Sequence, residues 1–353
     1  KDIADILAMG AGIAGLTLTK KDALLMALNL NNETRTSLAD KPGFMANYDK
    51  LNAAAGGELT ALDLFSITLN LTKEQRENLN KADFTANIDA IRALAATIPG
   101  GVTLSGKDVI QMALNLNDDS RANLADRTAF TANYNSLKTL AGPELAALDL
   151  FSITLNLSKD QKKNLADTAR FTANITAILA LALTIPNVVV SRKDAFLMAL
   201  NLTDESRANL SNPTKFRQDY DKLKAKDTTG VFTPLDIFSI ALNLSAEQRA
   251  NIDGNDFLSN IDTIRLFAQD IPGLIVTRKQ AFMLALNLTS DGRMSLADKT
   301  KFMGYYNSLK GFAGADMNAF EVFSLTLNLT SEQKTNLEDA ARFTKDIADI
   351  LAM

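Results

Sequence analysis

The sequence contains no cysteine, no histidine and no tryptophan, and only 7 prolines among its 353 residues. Without cysteine the chain can form no disulfide framework, no thiolate zinc site and no cysteine nucleophile. Without histidine it can form no Ser-His-Asp triad or related site. Carboxylates remain the only plausible catalytic side chains, and no motif arranges them for catalysis. We therefore predict that the chain is not an enzyme and holds no metal or cofactor.

The charge balance is also close to neutral. The chain carries 37 basic and 41 acidic residues, a net charge of −4. Such a balance argues against a dedicated binder of nucleic acid or of anionic membranes. Residues 3–16 are apolar enough to suggest a signal core, but they belong to a repeated segment described below. We expect no nucleic-acid partner and no membrane span.

The tripeptide Leu-Asn-Leu occurs eight times and reveals an internal repeat. The spacings between successive asparagines are 41, 45, 41, 45, 42, 44 and 41 residues. Steps of about 41 and 45 alternate, so the unit is a pair of odd and even modules of ~86 residues. The eight asparagines are Asn29, Asn70, Asn115, Asn156, Asn201, Asn243, Asn287 and Asn328.

The two ends of the sequence share this register. Residues 1–9 and residues 345–353 both read KDIADILAM, at an offset of 344 residues. Both ends therefore fall inside a module, as tandem repeats of a longer chain would give. The predicted divisions are 1–16 as the tail of a preceding module, three repeat pairs at 17–102, 103–189 and 190–275, and a fourth at 276–353 whose last part is incomplete.

Each module has the signals of three short helices. The first is preceded by a Ser or Thr cap with Asp or Gln three residues later, and the second starts just after Leu-Asn-Leu, often with a capping box. We predict an all-α fold, an α-solenoid of eight ~43-residue three-helix modules in four ~86-residue odd/even pairs. The first-helix caps are Thr19, Thr60, Ser105, Ser191, Thr233 and Thr277, and the capping boxes begin at Thr72, Ser158, Ser245 and Thr330.

The third helix of each module carries a phenylalanine. Four residues later stands Tyr in odd modules and Ile in even ones, which places the pair on one helix face. We interpret these residues as core packing between modules. The phenylalanines are Phe44, Phe84, Phe130, Phe171, Phe216, Phe257, Phe302 and Phe343.

Two interpretations of the Leu-Asn-Leu asparagines are open. Six of them lie in N-x-[ST] sequons, which would suit glycosylation of a secreted fibre. All eight also suit a joint between the first and second helices, because Asn tolerates the left-handed conformation that ends a helix. We favour the joint, with a left-handed backbone or a side chain bonded to the adjoining backbone, since Asn29 and Asn115 lack a sequon.

A glycine-rich segment near the start of the sequence suggests nucleotide binding instead. Residues Gly10–Gly15 match the G-x-G-x-x-G fingerprint and resemble the start of many flavin enzymes, with Glu33 near the spacing of the ribose-binding acid. The equivalent loops of the even modules lack the fingerprint, so an FAD- or NAD-binding enzyme is a remote alternative. Those loops are rich in β-branched residues and could form short extended rungs.

The functional prediction follows from the array itself. A solenoid needs polar terminal repeats, and none is visible here, so something must cover the ends. We predict a structural, self-assembling repeat protein in a filament or surface fibre, extracellular or at the cell surface, whose partner is another copy or further repeats of the same chain. The alternative is a protein-binding α-solenoid scaffold. One basic residue in each second helix, such as Arg121 or Arg249, is expected to pair with acids near the start of the first helix.

Overall fold

A computed structural model describes residues 1–30, 32–314, 317–339 and 342–344, with only the backbone of residues 32 and 33. Within these ranges the protein is all-α, with no strand. The predicted all-α class is confirmed. The β-branched loops that could have formed extended rungs pair with no neighbouring backbone as strands in the described part of the chain.

The helices vary in length in a regular order. The first helix of each module has nine residues, the second has seven or eight, and the described third helices have 13 to 16. Among the described residues one 3-10 turn, η1, covers Gly142–Glu144. The α-helices are α1 Asp2–Gly10, α2 Lys20–Leu28, α3 Asn32–Ala39, α4 Lys41–Ala55, α5 Ala61–Leu69, α6 Lys73–Asn80, α7 Phe84–Thr97, α8 Gly106–Leu114, α9 Asp118–Ala125, α10 Arg127–Ala141, α11 Ala147–Leu155, α12 Lys159–Ala166, α13 Thr168–Leu183, α14 Arg192–Leu200, α15 Asp204–Leu210, α16 Pro213–Lys226, α17 Pro234–Leu242, α18 Ala246–Asp253, α19 Phe257–Gln269, α20 Arg278–Leu286, α21 Ser290–Leu296, α22 Lys299–Ala313, α23 Ala319–Leu327 and α24 Ser331–Glu338.

Helix starts follow the sequence closely. All six predicted first-helix caps accept a backbone N–H three residues on, and all four predicted second-helix capping boxes are present. Caps of this kind satisfy N–H groups that the helix itself cannot pair. Local chemistry therefore sets where these helices begin. One box that was not predicted joins Asn318 to Glu321 at the start of α23.

The chain divides into two compact units, Lys1–Thr172 and Ala173–Met353, and the division falls inside α13. In each unit the first helix of a module packs against the third helix of the module before it, as α8 does on α7 and α20 on α19. The second helix of a module packs against the first helix of the next, as α6 does on α8 and α18 on α20. The second and third helices of one module thus both pack against the first helix of the next module.

The core lies along these contacts. Seven of the eight third-helix phenylalanines are buried, Phe343 is half-buried, and Ile347 lies outside the described residues. Several of these rings meet a first-helix ring of the following module, with centroids 5.2 Å apart for Phe44 and Phe65 and 5.0 Å apart for Phe216 and Phe238. These phenylalanines therefore contribute to the core within a module and to the contact between neighbouring modules.

The glycine fingerprint lies between two helices. A dinucleotide site needs a strand before the first glycine and a helix that opens at the last one. Here α1 ends at Gly10, Gly15 takes a left-handed φ of 77°, and α2 begins only at Lys20. The side chain of Glu33 lies outside the described residues. The segment is a helix-to-helix connection and lacks the geometry on which the enzyme alternative depended.

The caps predict a specific acid sensitivity. Hydrogen bonds from the Thr233 backbone and hydroxyl hold the pKa of Asp236 below its ordinary 3.8, helped by Lys279 and despite desolvation. A pKa lowered by folding stabilises the folded state above the unfolded value, and this contribution is lost as the pH falls through the folded value. We expect Asp236→Asn to lower the free energy of unfolding at pH 6, with the difference from the parent vanishing as the pH drops below 3.8. Urea titrations at pH 6, 4 and 3 measure it, and a difference independent of pH would contradict it.

Candidate functional site: the module joints and the exposed face of α2

The Leu-Asn-Leu asparagines, here called joint asparagines, end the first helix of each module. Their φ lies between −98° and −111° and their ψ between 3° and 15°. Of the two alternatives that we expected, a left-handed backbone or a side chain bonded to the adjoining backbone, the left-handed backbone is absent at all eight positions. In seven modules the side-chain Nδ2 donates to the carbonyl four residues back, at 2.9 Å from Asn29 to Leu25 and 2.8 Å from Asn70 to Ser66. This bond satisfies a terminal carbonyl, so no left-handed turn is needed.

The joint asparagines also contact the preceding module. The side-chain Oδ1 accepts a hydrogen bond from the residue three positions after the second-helix cap of that module. The donor is Gln in even modules and Ser in the odd modules where the bond is present. The bonds run from Gln75 to Asn115 (2.9 Å), from Gln248 to Asn287 (2.8 Å), from Ser120 to Asn156 (2.7 Å) and from Ser206 to Asn243 (2.7 Å).

A second set of asparagines was not predicted. They stand eight residues after a joint asparagine, on the second helix, and we call them latch asparagines. Four of them are buried, and each of these four donates through Nδ2 to the carbonyls of both leucines that flank the next module's joint asparagine. The bonds join Asn78 to Leu114 and Leu116 (2.8 and 2.9 Å), Asn123 to Leu155 and Leu157 (2.9 Å each), Asn209 to Leu242 and Leu244 (3.0 Å each), and Asn251 to Leu286 and Leu288 (2.9 and 2.8 Å).

Second-helix arginines complete the latch. Arg121 donates to Oδ1 of Asn78 at 2.9 Å and pairs with Asp83 at 2.8 Å. Arg249 and Arg293 donate to Asn209 and Asn251 in the same manner. In these three cases the latch asparagine therefore bonds to the following module through both its Nδ2 and its Oδ1.

The expected pairing of these arginines with first-helix acids is wrong for Arg121 and Arg249. Their acidic partners, Asp83 and Asp219, lie at the start of or within the third helix of the preceding module. The first-helix acid Asp236 instead pairs with Lys279 at 3.2 Å, on the first helix of the next module. The physical reason is that the second helix faces backward along the chain, toward the preceding module.

One first helix, α2, exposes apolar side chains to solvent. On α2 the side chains of Leu24, Leu25 and Leu28, here called the α2 face, are 47%, 51% and 72% exposed. In the other seven modules the residues equivalent to Leu28 are leucines that are at most 2% exposed. The residues equivalent to Leu24 are at most 3% exposed. These last are Phe65, Ile110, Phe151, Phe196, Phe238, Phe282 and Phe323.

The missing neighbour can be identified. Helix α1 packs against α2 as α7 packs against α8 and α19 against α20, so the place of a preceding third helix is filled. No described second helix packs on α2 as α6 packs on α8 and α18 on α20. Leu24 and Leu28 stand where the equivalent residues of the other modules are buried, whereas the equivalents of Leu25 are half-buried or exposed there.

The opposite surface belongs to α24. Its asparagine, Asn336, stands at the latch position but is exposed, whereas Asn78 and Asn251 are 7% and 5% exposed. Within the described part of the chain its carboxamide makes no hydrogen bond. Gln333, which corresponds to Gln75 and Gln248, is exposed as well. Helix α24 thus presents the donors of a latch, and no described residue accepts a hydrogen bond from the side-chain amide groups of Asn336 and Gln333.

Two kinds of site find no support in the described ranges. No group of three acidic residues is placed to hold a metal ion there. None of the described helices has the length and apolarity needed to cross a membrane. The chain matches no protein-family model, no curated protein and no solved structure.

Proposed function

We propose that the chain is a structural repeat protein, an α-solenoid of eight three-helix modules that associates head to tail with copies of itself and performs no catalysis. In such an array each repeat contacts only its neighbours, and an end without a polar cap remains adhesive. The observation that supports the proposal is the α2 face, where Leu24 and Leu28 are exposed although the residues at their positions are buried in the other seven modules. An extracellular or cell-surface location stays a prediction.

The apolar contribution of this face is substantial. Burying a leucine side chain contributes roughly 1.5–3 kcal/mol relative to leaving it exposed. Leu24 and Leu28 are both more than two-fifths exposed, and Leu25 lies beside them. Side-chain ordering and the loss of translational freedom oppose association, so three leucines support a reversible contact, which further hydrogen bonds would strengthen.

A protein-binding scaffold is the second candidate. Val189 and Ile275 occupy the same position in two even-module loops and are 81% and 82% exposed. Their spacing of 86 residues equals the repeat pair. A row of apolar side chains on successive loops is a feature by which a solenoid could bind another protein. It supports this alternative but identifies no partner.

The proposal is tested by removing the apolar contact. We expect the parent chain to show a sedimentation mass that rises with concentration above 38.2 kDa, while the double variant Leu24→Ser, Leu28→Ser stays monomeric. The effect should be at least a tenfold increase in the dissociation constant, because two leucines lose their burial. Leu183→Ser is the matched control, since Leu183 belongs to α13 and is 88% exposed. A parent chain that is monomeric at every concentration would contradict the proposal.

A further inference from the structure

We propose that α24 of a second copy of this chain docks on the α2 face, with Asn336 donating to the carbonyls of Leu28 and Leu30 and Gln333 donating to Oδ1 of Asn29. This inference rests on the proposed self-association and specifies its polarity and register. The contact would repeat, between copies, the joint that already links an even module to the next odd module within each unit.

The template for this contact occurs twice. At the joint of α6 and α8, Asn78 donates to Leu114 and Leu116 while Gln75 donates to Asn115. At the joint of α18 and α20, Asn251 and Gln248 make the same set of bonds. Both joints run from an even second helix to an odd first helix, which is the combination that α24 and α2 would form.

The residues at both surfaces match the template position by position. Leu28, Asn29 and Leu30 correspond to Leu114, Asn115 and Leu116. Thr330, Gln333 and Asn336 correspond to Thr72, Gln75 and Asn78. The capping box from Thr330 to Gln333 is already formed, so α24 holds its donors on a rigid helix. No described side chain donates to the carbonyl of Leu28 or Leu30.

Arg35 supplies the remaining contact. It corresponds to Arg121, which binds both Asp83 and Asn78. At present Arg35 donates to Asp2 of α1 at 3.1 Å. This resembles the bond of Arg249 to Asp219, an arginine that also binds the latch residue Asn209. A guanidinium has five N–H donors, so Arg35 can keep Asp2 and also bind Oδ1 of Asn336. The junction would then satisfy the whole carboxamide.

Pairing of two α2 faces is the symmetric competitor. It would bury the leucines but would bring acceptors against acceptors at Leu28 and Leu30. Burying carbonyls without a donor is unfavourable. It would also leave Asn336 and Gln333 without a role. The head-to-tail contact satisfies every one of these groups, and for that reason a second copy presenting α24 is the occupant that we favour.

The decisive variant is Asn336→Leu, which keeps the size of the side chain and removes its donors. Because Asn336 is exposed, the fold should not change. We expect self-association of the full chain to weaken at least tenfold, since two carbonyls and Arg35 lose their partner. Thr335→Leu is the matched control and should associate like the parent. Its equivalents, Glu77 and Ala250, remain exposed in the two formed joints.

A mixing experiment then tests polarity. The variant Leu24→Ser, Leu28→Ser keeps a working α24, and Asn336→Leu keeps a working α2 face. Each alone should fail to form long assemblies, and their mixture should give a 1:1 complex in sedimentation velocity. If Asn336→Leu associates like the parent while the double serine variant does not, the α24 contact is wrong and the proposed self-association stands. If neither variant differs from the parent, the proposed function fails too.

Discussion

Replacing Phe130 with alanine is expected to destabilise its part of the chain by about 3–5 kcal/mol, the usual cost of truncating a buried phenylalanine. Phe130 on α10 is 1% exposed, and its ring centroid lies 5.1 Å from that of Phe151 on α11. The substitution leaves a cavity between two modules and removes an aromatic pair. Hydrogen exchange followed peptide by peptide should rise in α10 and α11 and remain unchanged in α19 to α22.

The matched variant is Phe216→Ala, at the same repeat position in the second unit. Phe216 is 1% exposed and lies 5.0 Å from Phe238, so the loss of free energy should be similar. The loss of exchange protection should move with the substitution, from α10 and α11 to α16 and α17. An equal rise in exchange over the whole chain for both variants would contradict this local response and would indicate that the chain unfolds as one cooperative body.

The helix starts could be predicted because their chemistry is local. A hydroxyl cap and its partner lie three residues apart, so Thr72 and Gln75 identify their capping box without any knowledge of the fold. The recurring phenylalanines were predictable for a related reason, since a large apolar residue kept at one position of every repeat indicates a buried site. Local spacing and repetition were therefore enough to predict the helix starts and the buried phenylalanines.

The latch asparagines were within reach but were missed. Six of the eight second helices carry Asn eight residues after the joint asparagine, and Ser stands at this position in the other two, at Ser37 and Ser295. That regularity is visible in the sequence. Its meaning depends on which surface lies opposite, about 35 residues farther along the chain, and spacing alone does not show this. The acidic partners of the second-helix arginines were predicted wrongly for the same reason, because spacing does not show which helix lies opposite.

The joint asparagines show a different limit. Asparagine favours both a left-handed helix end and a side-chain bond to a nearby carbonyl, and the sequence cannot choose between them. In the structure the bond from Nδ2 to the carbonyl four residues back is present and the backbone stays near φ −100°. The bond from Nδ2 also orients the side chain for the contact between modules, because it directs Oδ1 toward the Gln or Ser of the preceding module.

The second large effect is expected at Asp219, a buried acid of the third helix. Asp219 on α16 is 5% exposed, and its carboxylate accepts a 2.7 Å bond from Nε of Arg249, which also binds the latch residue Asn209. Asp219→Ala would leave a largely buried guanidinium without its counter-ion, which costs about 3–5 kcal/mol. Asp219→Asn should lose less, since it retains an acceptor without the charge. The control is Asn133→Ala, at the equivalent half-buried position of α10, with an expected change under about 0.5 kcal/mol. Urea unfolding of the three variants measures these differences. Equal small losses for Asp219→Ala and Asn133→Ala would show that the ion pair does not hold α16 to α18.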